Sequence, residues 1–187
     1  MRPVVAYRPA HAEDAAAIIA LNRRVAADSA QFLAYDIDPI SGADMLQAKL
    51  GGEPGEGGRD DQVLVAILPE AKDDNTAVVG VALLRRHRHP AFAGVLQFSL
   101  AVDPALRRQG IGRALTDLAV ASAKTSGARR LQLAVIDGNA AALRLFETSG
   151  FVQEGRLSGA AEIAGRLHDL LAMGMPLDDL PAASPSI

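Results

Sequence analysis

The chain has no cysteine and no tryptophan. The first absence excludes disulfides, thiolate metal sites and a cysteine acyl-enzyme intermediate. The second, with only 4% aromatic residues against 49% hydrophobic ones, implies a core of aliphatic and alanine side chains. An excess of one charge is also missing. A net charge of −3 over 187 residues provides no global field for nucleic acid or an anionic membrane. No apolar run is long enough to span a bilayer, and residues 1–4 lack the apolar core of a secretion signal. The expectation is a soluble cytoplasmic protein with neither a nucleic-acid nor a membrane partner, of a length that suits one domain.

Periodicity supplies the order of elements. Residues 4–8 read as a strand. Residues 11–28 read as a helix, with Ala15, Ile18, Ile19 and Val25 near helical spacing and the acids Glu13 and Asp14 in its first turn. Ser41, with Asp44 three residues on, caps a second helix to about residue 50. Residues 51–61, rich in glycine and charge, form a flexible loop. Strands at 63–68 and 78–84 make a hairpin around 73–75. In the next strand, 95–102, Leu96, Phe98, Leu100 and Val102 share one face, and Gln97, Ser99 and Ala101 the other. A helix at 111–126 follows, with an apolar side of Ile111, Ala114, Leu115 and Leu118. Then come a strand at 131–136, a helix at 139–149 closed by Gly150, and strands at 151–154 and 167–175. The pattern describes a single α/β (α+β) domain over 1–177, with about seven strands in a mixed sheet flanked by four helices. Residues 178–187 read as a loose tail.

One segment carries unusual chemistry. After Asp103 and Pro104 end their strand, Arg107, Arg108, Gln109, Gly110, Ile111, Gly112 and Arg113 turn directly into a helix. Two glycines at a helix start let a ligand approach the backbone and meet its free N–H groups. Helix N-termini favour anions, and cations there are unfavourable unless an anion joins them. The plainer reading is a tight turn with solvated arginines. A nucleotide-hydrolase phosphate loop needs Gly-Lys-Ser/Thr, which does not follow. A dinucleotide fingerprint needs a third small residue, and Leu115 stands there.

The segment resembles the pyrophosphate motif of the general-control-type N-acetyltransferase (GNAT) superfamily, Gln/Arg-x-x-Gly-x-Gly/Ala, which Arg107, Gly110 and Gly112 match. A second stretch resembles that family's Asn-x-x-Ala-x-x-Leu-Tyr-x-x-x-Gly-Phe. It runs from Asn139 through Ala142, Leu145 and Phe146 to Gly150 and Phe151. The likeness extends over residues 4–176, in the N-terminal third only as an order of elements. It implies a mostly antiparallel GNAT-like sheet whose strand at 95–102 splays from its neighbour, so that the backbone of Leu100, Ala101 and Val102 pairs with the pantetheine arm of acetyl-CoA. It also places the cofactor at Arg107, Arg108, Gln109, Gly110, Ile111, Gly112 and Arg113, and at Asn139, Ala142 and Phe146. Asn139 reads equally well as a helix N-cap. The implied activity is N-acetylation of a primary amine (small amine, amino acid or protein N-terminus) by direct transfer in a ternary complex. A backbone N–H at Leu100 would hold the oxyanion, with no metal, in a monomer or homodimer. The rival is a non-catalytic acetyl-CoA-binding sensor.

Two departures bear on catalysis, whose residues stay unassigned. Most family members carry Tyr where this chain has Phe146, which has no proton for the leaving thiolate. The strand that often supplies a base offers only Gln97 and Ser99. The acceptor site is expected from 31–51 and a loop at 156–166. Residues 151–156, with His168 and Asp169, resemble members that take small amines, amino acids or protein N-termini. Arg85, Arg86, His87, Arg88 and His89 read as a solvated turn rather than a phosphate or metal site. His11 and His168 lack ligand-spaced partners, and Ser126, Ser149 and Ser158 lie in no nucleophile elbow.

Overall fold

A computed structural model describes residues 3–29, 61–71, 73–87 and 89–178. The expected helix at 41–50, the loop at 51–60, the acceptor segment 31–51 and the tail beyond residue 178 lie outside the described residues. The described elements are β1 (Ala6–Pro9), α1 (Ala15–Ser29), β2 (Gln62–Ile67), a single helical turn α2 (Asp74–Ala77), β3 (Val78–Arg86), β4 (Val95–Val102), α3 (Ile111–Thr125), β5 (Arg130–Ile136), α4 (Ala140–Thr148), β6 (Val152–Ile163) and β7 (Arg166–Pro176).

The strands form one seven-stranded sheet in the order β1-β2-β3-β4-β5-β7-β6. Every neighbouring pair is antiparallel except β4 and β5, which run parallel. On one face α1 packs Ala17, Ile18, Leu21 and Val25 against Val65, Val81 and Ala101. On the other, α3 presents Ile111, Leu115, Ala119 and Ala123, four residues apart each time, to Leu84, Leu96, Phe98, Leu131 and Leu133. That spacing keeps one helix stripe against the sheet, and its alanines allow close approach. Ile111 and Leu115 lie on this stripe as expected, whereas Ala114 and Leu118 are half-buried at its margin. Between the two layers β3 is buried from Val78 to Leu84, so its sequence shows no alternation.

The entry to α1 is closed by Asp14. It accepts hydrogen bonds from Arg8 at 2.6 and 2.9 Å and from the His11 N–H at 2.7 Å. The hairpin turn expected at 73–75 contains α2, capped by Asp73, which accepts from the Asn75 N–H at 2.9 Å. Arg85 and Arg86 belong to β3 rather than to a turn.

The C-terminal region needs a correction. Residues 156–163, expected as loop, belong to the long edge strand β6, and Ala164 and Gly165, both with positive φ, turn it into β7. Register shifts at Gln153/Gly155 and Leu157/Ala161 break the period-two pattern that announces a strand.

Candidate functional site

The site begins where two strands part. β4 and β5 pair only at Val95↔Arg130, Leu96↔Leu131 and Gln97↔Gln132. Beyond Gln97, β4 stays with β3 as far as Val102↔Gly80, while β5 follows β7 as far as Ile136↔Leu170. Among the described residues, the edge of β4 that faces β5 therefore has no strand partner from Phe98 to Val102.

Asp103 then fixes the chain end. Its buried carboxylate accepts from Ala105 N–H at 3.0 Å and from Arg24 Nε of α1 at 2.7 Å. Arg24 also donates to the carbonyls of Asn75 and Val78. After the turn at Pro104–Leu106 the backbone passes through left-handed conformations at Arg108 (φ 63°) and Gly110 (φ 91°). The second is a conformation that glycine adopts without strain. The bond that opens the helix runs from Ala114 N–H to the Gly110 carbonyl at 3.0 Å. The N–H groups of Ile111, Gly112 and Arg113 precede it and have no helical acceptor. Gly112 is tightly packed: a Cβ there would stand 3.1 Å from Leu145 Cδ2, which would have to give way, and 3.6 Å from Leu100 Cδ2. The absence of a side chain lets α3 start against both α4 and β4.

These pieces surround a cleft of about 720 Å³. Of the residues the sequence assigns to the cofactor, Leu100, Ala101, Val102, Arg107, Arg108, Gly110, Gly112, Arg113, Asn139 and Ala142 line it. Gln109, Ile111 and Phe146 are not on its wall. Ile111 is buried in the core under α3. Phe146 is buried edge-on against Phe98 at 5.8 Å and Phe151 at 5.6 Å, which makes it a core residue between α4 and the sheet. Among the wall residues missed in the sequence are Val25, Arg144 and Thr148. Ala140, Arg144 and Thr148 recur every four residues, a stripe legible once the cleft-facing side of α4 is known.

The arginines differ in what holds them. Arg107 donates to Asp28 at 2.7 Å and Arg113 to Asp117 at 2.9 Å and to the Thr148 carbonyl at 3.0 Å. Those partners offset part of the unfavourable placement of cations at a helix start. Among the described residues, the exposed Arg108 and Arg144 side chains have no hydrogen-bond or ion-pair partner. Asn139 accepts from Ala142 N–H through Oδ1 at 3.1 Å, the capping role, and its Nδ2 has no partner among the described residues. One side chain thus offers both the cap and a free donor.

On the α1 face of β4, Gln97 Oε1 accepts from Gln132 Nε2 at 3.2 Å, and Ser99 is buried. Arg156 bridges Asp137 at 2.8 Å and Asp169 at 2.7 Å. A hydrogen bond from Gly159 N–H, then the Arg156 guanidinium, holds the Asp169 carboxyl below its ordinary value. Asp169, together with the charge of Asp137, raises Arg156. His87 and His89 pack their rings on Phe92 and accept backbone N–H bonds through Nδ1, so the turn consumes one nitrogen of each. Arg88 lies outside the described residues. Among the described residues no cluster of three His, Asp or Glu could hold a metal, and no helix is long and apolar enough to cross a membrane.

A seven-stranded mixed sheet, opened at one parallel pair over a glycine-start helix, defines the class of the domain. The chain belongs to the acetyltransferase (GNAT) family, whose profile matches residues 41–151, over half its length. It is 32% identical over 108 residues to a Bacillus subtilis protein provisionally named phosphinothricin acetyltransferase YwnH. That match covers 57% of this chain and 66% of the relative. It is 34% identical over 80 residues to the ribosomal protein bS18 alanine N-acetyltransferase of Escherichia coli K12, covering 43% of this chain and 54% of that one. The chain thus spans between half and two thirds of these relatives. In fold it is similar to yncA of Salmonella typhimurium, solved with its cofactor acetyl-CoA. There the TM-score is 0.74 at 23% identity, over 97% of this chain and 99% of that one.

Proposed function

We propose that the chain binds acetyl-CoA in the cleft and passes the acetyl group directly to a primary amine: a small amine, an amino acid or a protein N-terminus. The observation that carries the reading is the convergence of an unpaired strand edge and a glycine-opened helix start on one cleft. Two chemically different halves of the cofactor are served there. The N–H groups of Ile111, Gly112 and Arg113, with Arg108, which has no partner among the described residues, suit a pyrophosphate. The unpaired backbone of Leu100, Ala101 and Val102 suits the amides of an extended pantetheine arm, and Asn139 lines the same cleft. In this arrangement a backbone N–H near Leu100 stabilises the oxyanion, and the thiolate, whose parent thiol has a pKa near ~8.5, leaves without a tyrosine acid. Relatives named for phosphinothricin and for an alanine of a ribosomal protein support small and N-terminal amines.

The sensor alternative rests on the missing hydroxyl at Phe146. That residue packs in the core rather than on the cleft wall, so its identity does not favour a sensor. Thiol release from acetyl-CoA, measured across a panel of amines, tests the reading. Amine-dependent release above the buffer rate is expected. Cofactor binding with no release for any amine would leave only the sensor.

A further inference from the structure

We infer that Arg144, on the cleft wall formed by α4, holds a second phosphate of the ligand, apart from the pair met at the start of α3. In acetyl-CoA that group is the 3′-phosphate of the ribose. Arg144 thereby makes the cleft distinguish acetyl-CoA from the same thioester without this phosphate. The inference deepens the acetyl-CoA reading above and rests on it.

The charge of the wall comes first. Arg107, Arg108, Arg113 and Arg144 line the cleft, and no aspartate or glutamate is among the described residues that line it. Two of the four are offset by carboxylates set back from the wall, Arg107 by Asp28 and Arg113 by Asp117. The remaining positive charge of the wall stands in two places. One is Arg108, in the turn before α3. The other is Arg144, on α4. An exposed arginine on a helix is ordinarily a solvated surface residue, and a wall of four arginines without an acid is what sets this one apart.

Position comes next. Two contacts fix α4 against the start of α3. Leu145 Cδ2 lies against the bare Cα of Gly112, where a Cβ would stand 3.1 Å from it. Arg113 Nη1 donates to the Thr148 carbonyl at 3.0 Å. Arg144 precedes Leu145 and lies one turn before Thr148, so it is beside the N–H groups of residues 111–113 without belonging to them. On its own stripe of α4, Ala140 has no polar side chain. Thr148 spends its hydroxyl hydrogen on the carbonyls of Arg144 and Leu145, at 2.8 and 3.0 Å. Arg144 is thus the donor that this stripe presents to the cleft. Glu147, three residues on, is exposed but is not on the wall, and among the described residues no ion pair joins it to Arg144.

The ligand has a matching division. Each phosphorus of its diphosphate is doubly esterified and carries one negative charge, which suits backbone N–H groups and a single arginine. The 3′-phosphate is a monoester, with a charge of about −1.5 to −2 at neutral pH and three terminal oxygens. A planar guanidinium can meet two of those oxygens at once. The two phosphate groups leave neighbouring carbons of one ribose unit, C5′ by way of C4′ and C3′, so they are only a few bonds apart. Two cationic places on adjoining helices are the counterpart of that arrangement.

The test is titration calorimetry of acetyl-CoA and of acetyl-3′-dephospho-CoA, at neutral pH and low salt, with thermal unfolding alongside. The proteins are the full chain, Arg144→Gln and Arg108→Gln, and glutamine keeps the helix propensity of α4. The wild type should bind acetyl-CoA about five- to tenfold more tightly than the dephospho form. Arg144→Gln should bind the two alike, with the affinity that the wild type has for the dephospho form. Arg108→Gln should weaken both ligands and keep their ratio. Equal affinity of the wild type for the two ligands would overturn the inference while the acetyl-CoA reading stands. So would a wild-type ratio in a folded Arg144→Gln protein, or loss of the ratio in Arg108→Gln instead. Binding of neither ligand by the wild type would overturn both.

Discussion

Arg107, in the turn before α3, reaches back 79 residues to Asp28 near the end of α1, with Nη1 2.7 Å from Oδ2. The cation expected to meet the pyrophosphate is therefore held in place by a carboxylate that competes with it. Exposed pairs of this kind are worth about 0.2–1 kcal/mol. Asp28→Asn should release Arg107 and tighten acetyl-CoA binding by up to about fivefold. Titration calorimetry measures this. Weaker binding by the variant would mean that Asp28 orients Arg107 for the ligand instead.

Asn139 separates capping from ligand contact. Asn139→Asp keeps an oxygen for the Ala142 N–H and places a negative charge at a helix start, so thermal stability should hold or rise. It removes the Nδ2 donor, so acetyl-CoA affinity should fall. Asn139→Ala should lose about 1 kcal/mol of stability as well. Unchanged affinity in the Asp variant would reduce Asn139 to a cap.

The two helix starts that border the cleft were legible because their signals are local. Gly110 and Gly112 declare a helix start in three residues, and Asn139 with Ala142 marks the next one. What escaped detection depends on distant contacts. The partners of Arg107 and Asp103, at Asp28 and Arg24, are each 79 residues away. Nothing near Gln97 in the chain indicates that Gln132 faces it. Phe146 illustrates a different ambiguity: its helical spacing fits a cleft wall and a core equally, and only the rings of Phe98 and Phe151 decide. The outer half of β6 escaped because two register shifts erase its alternation.

Acid should weaken the fold through Asp14. Burial pushes this carboxyl up, but the hydrogen bonds from Arg8 and the His11 N–H and the Arg8 charge outweigh it and hold it below its ordinary value. A depressed folded-state pKa contributes stability above the unfolded value of ~3.9, and that contribution disappears as pH falls through the folded value. Asp14→Asn should cost about 1–3 kcal/mol at neutral pH. Its Tm should converge with the wild type in acid. A constant gap in Tm at all pH values would remove the ionic contribution.

The central claim is that an anionic cofactor sits at the start of α3, and Arg108 tests it most directly. This side chain is exposed, lines the cleft and has no protein partner among the described residues, so replacing it should leave the fold intact. The measurement is calorimetric titration of acetyl-CoA into the wild type and Arg108→Glu, with thermal unfolding alongside. The account predicts binding by the wild type, binding weakened at least about tenfold by the reversed charge, and equal Tm values. Equal affinity in two equally stable proteins would contradict it.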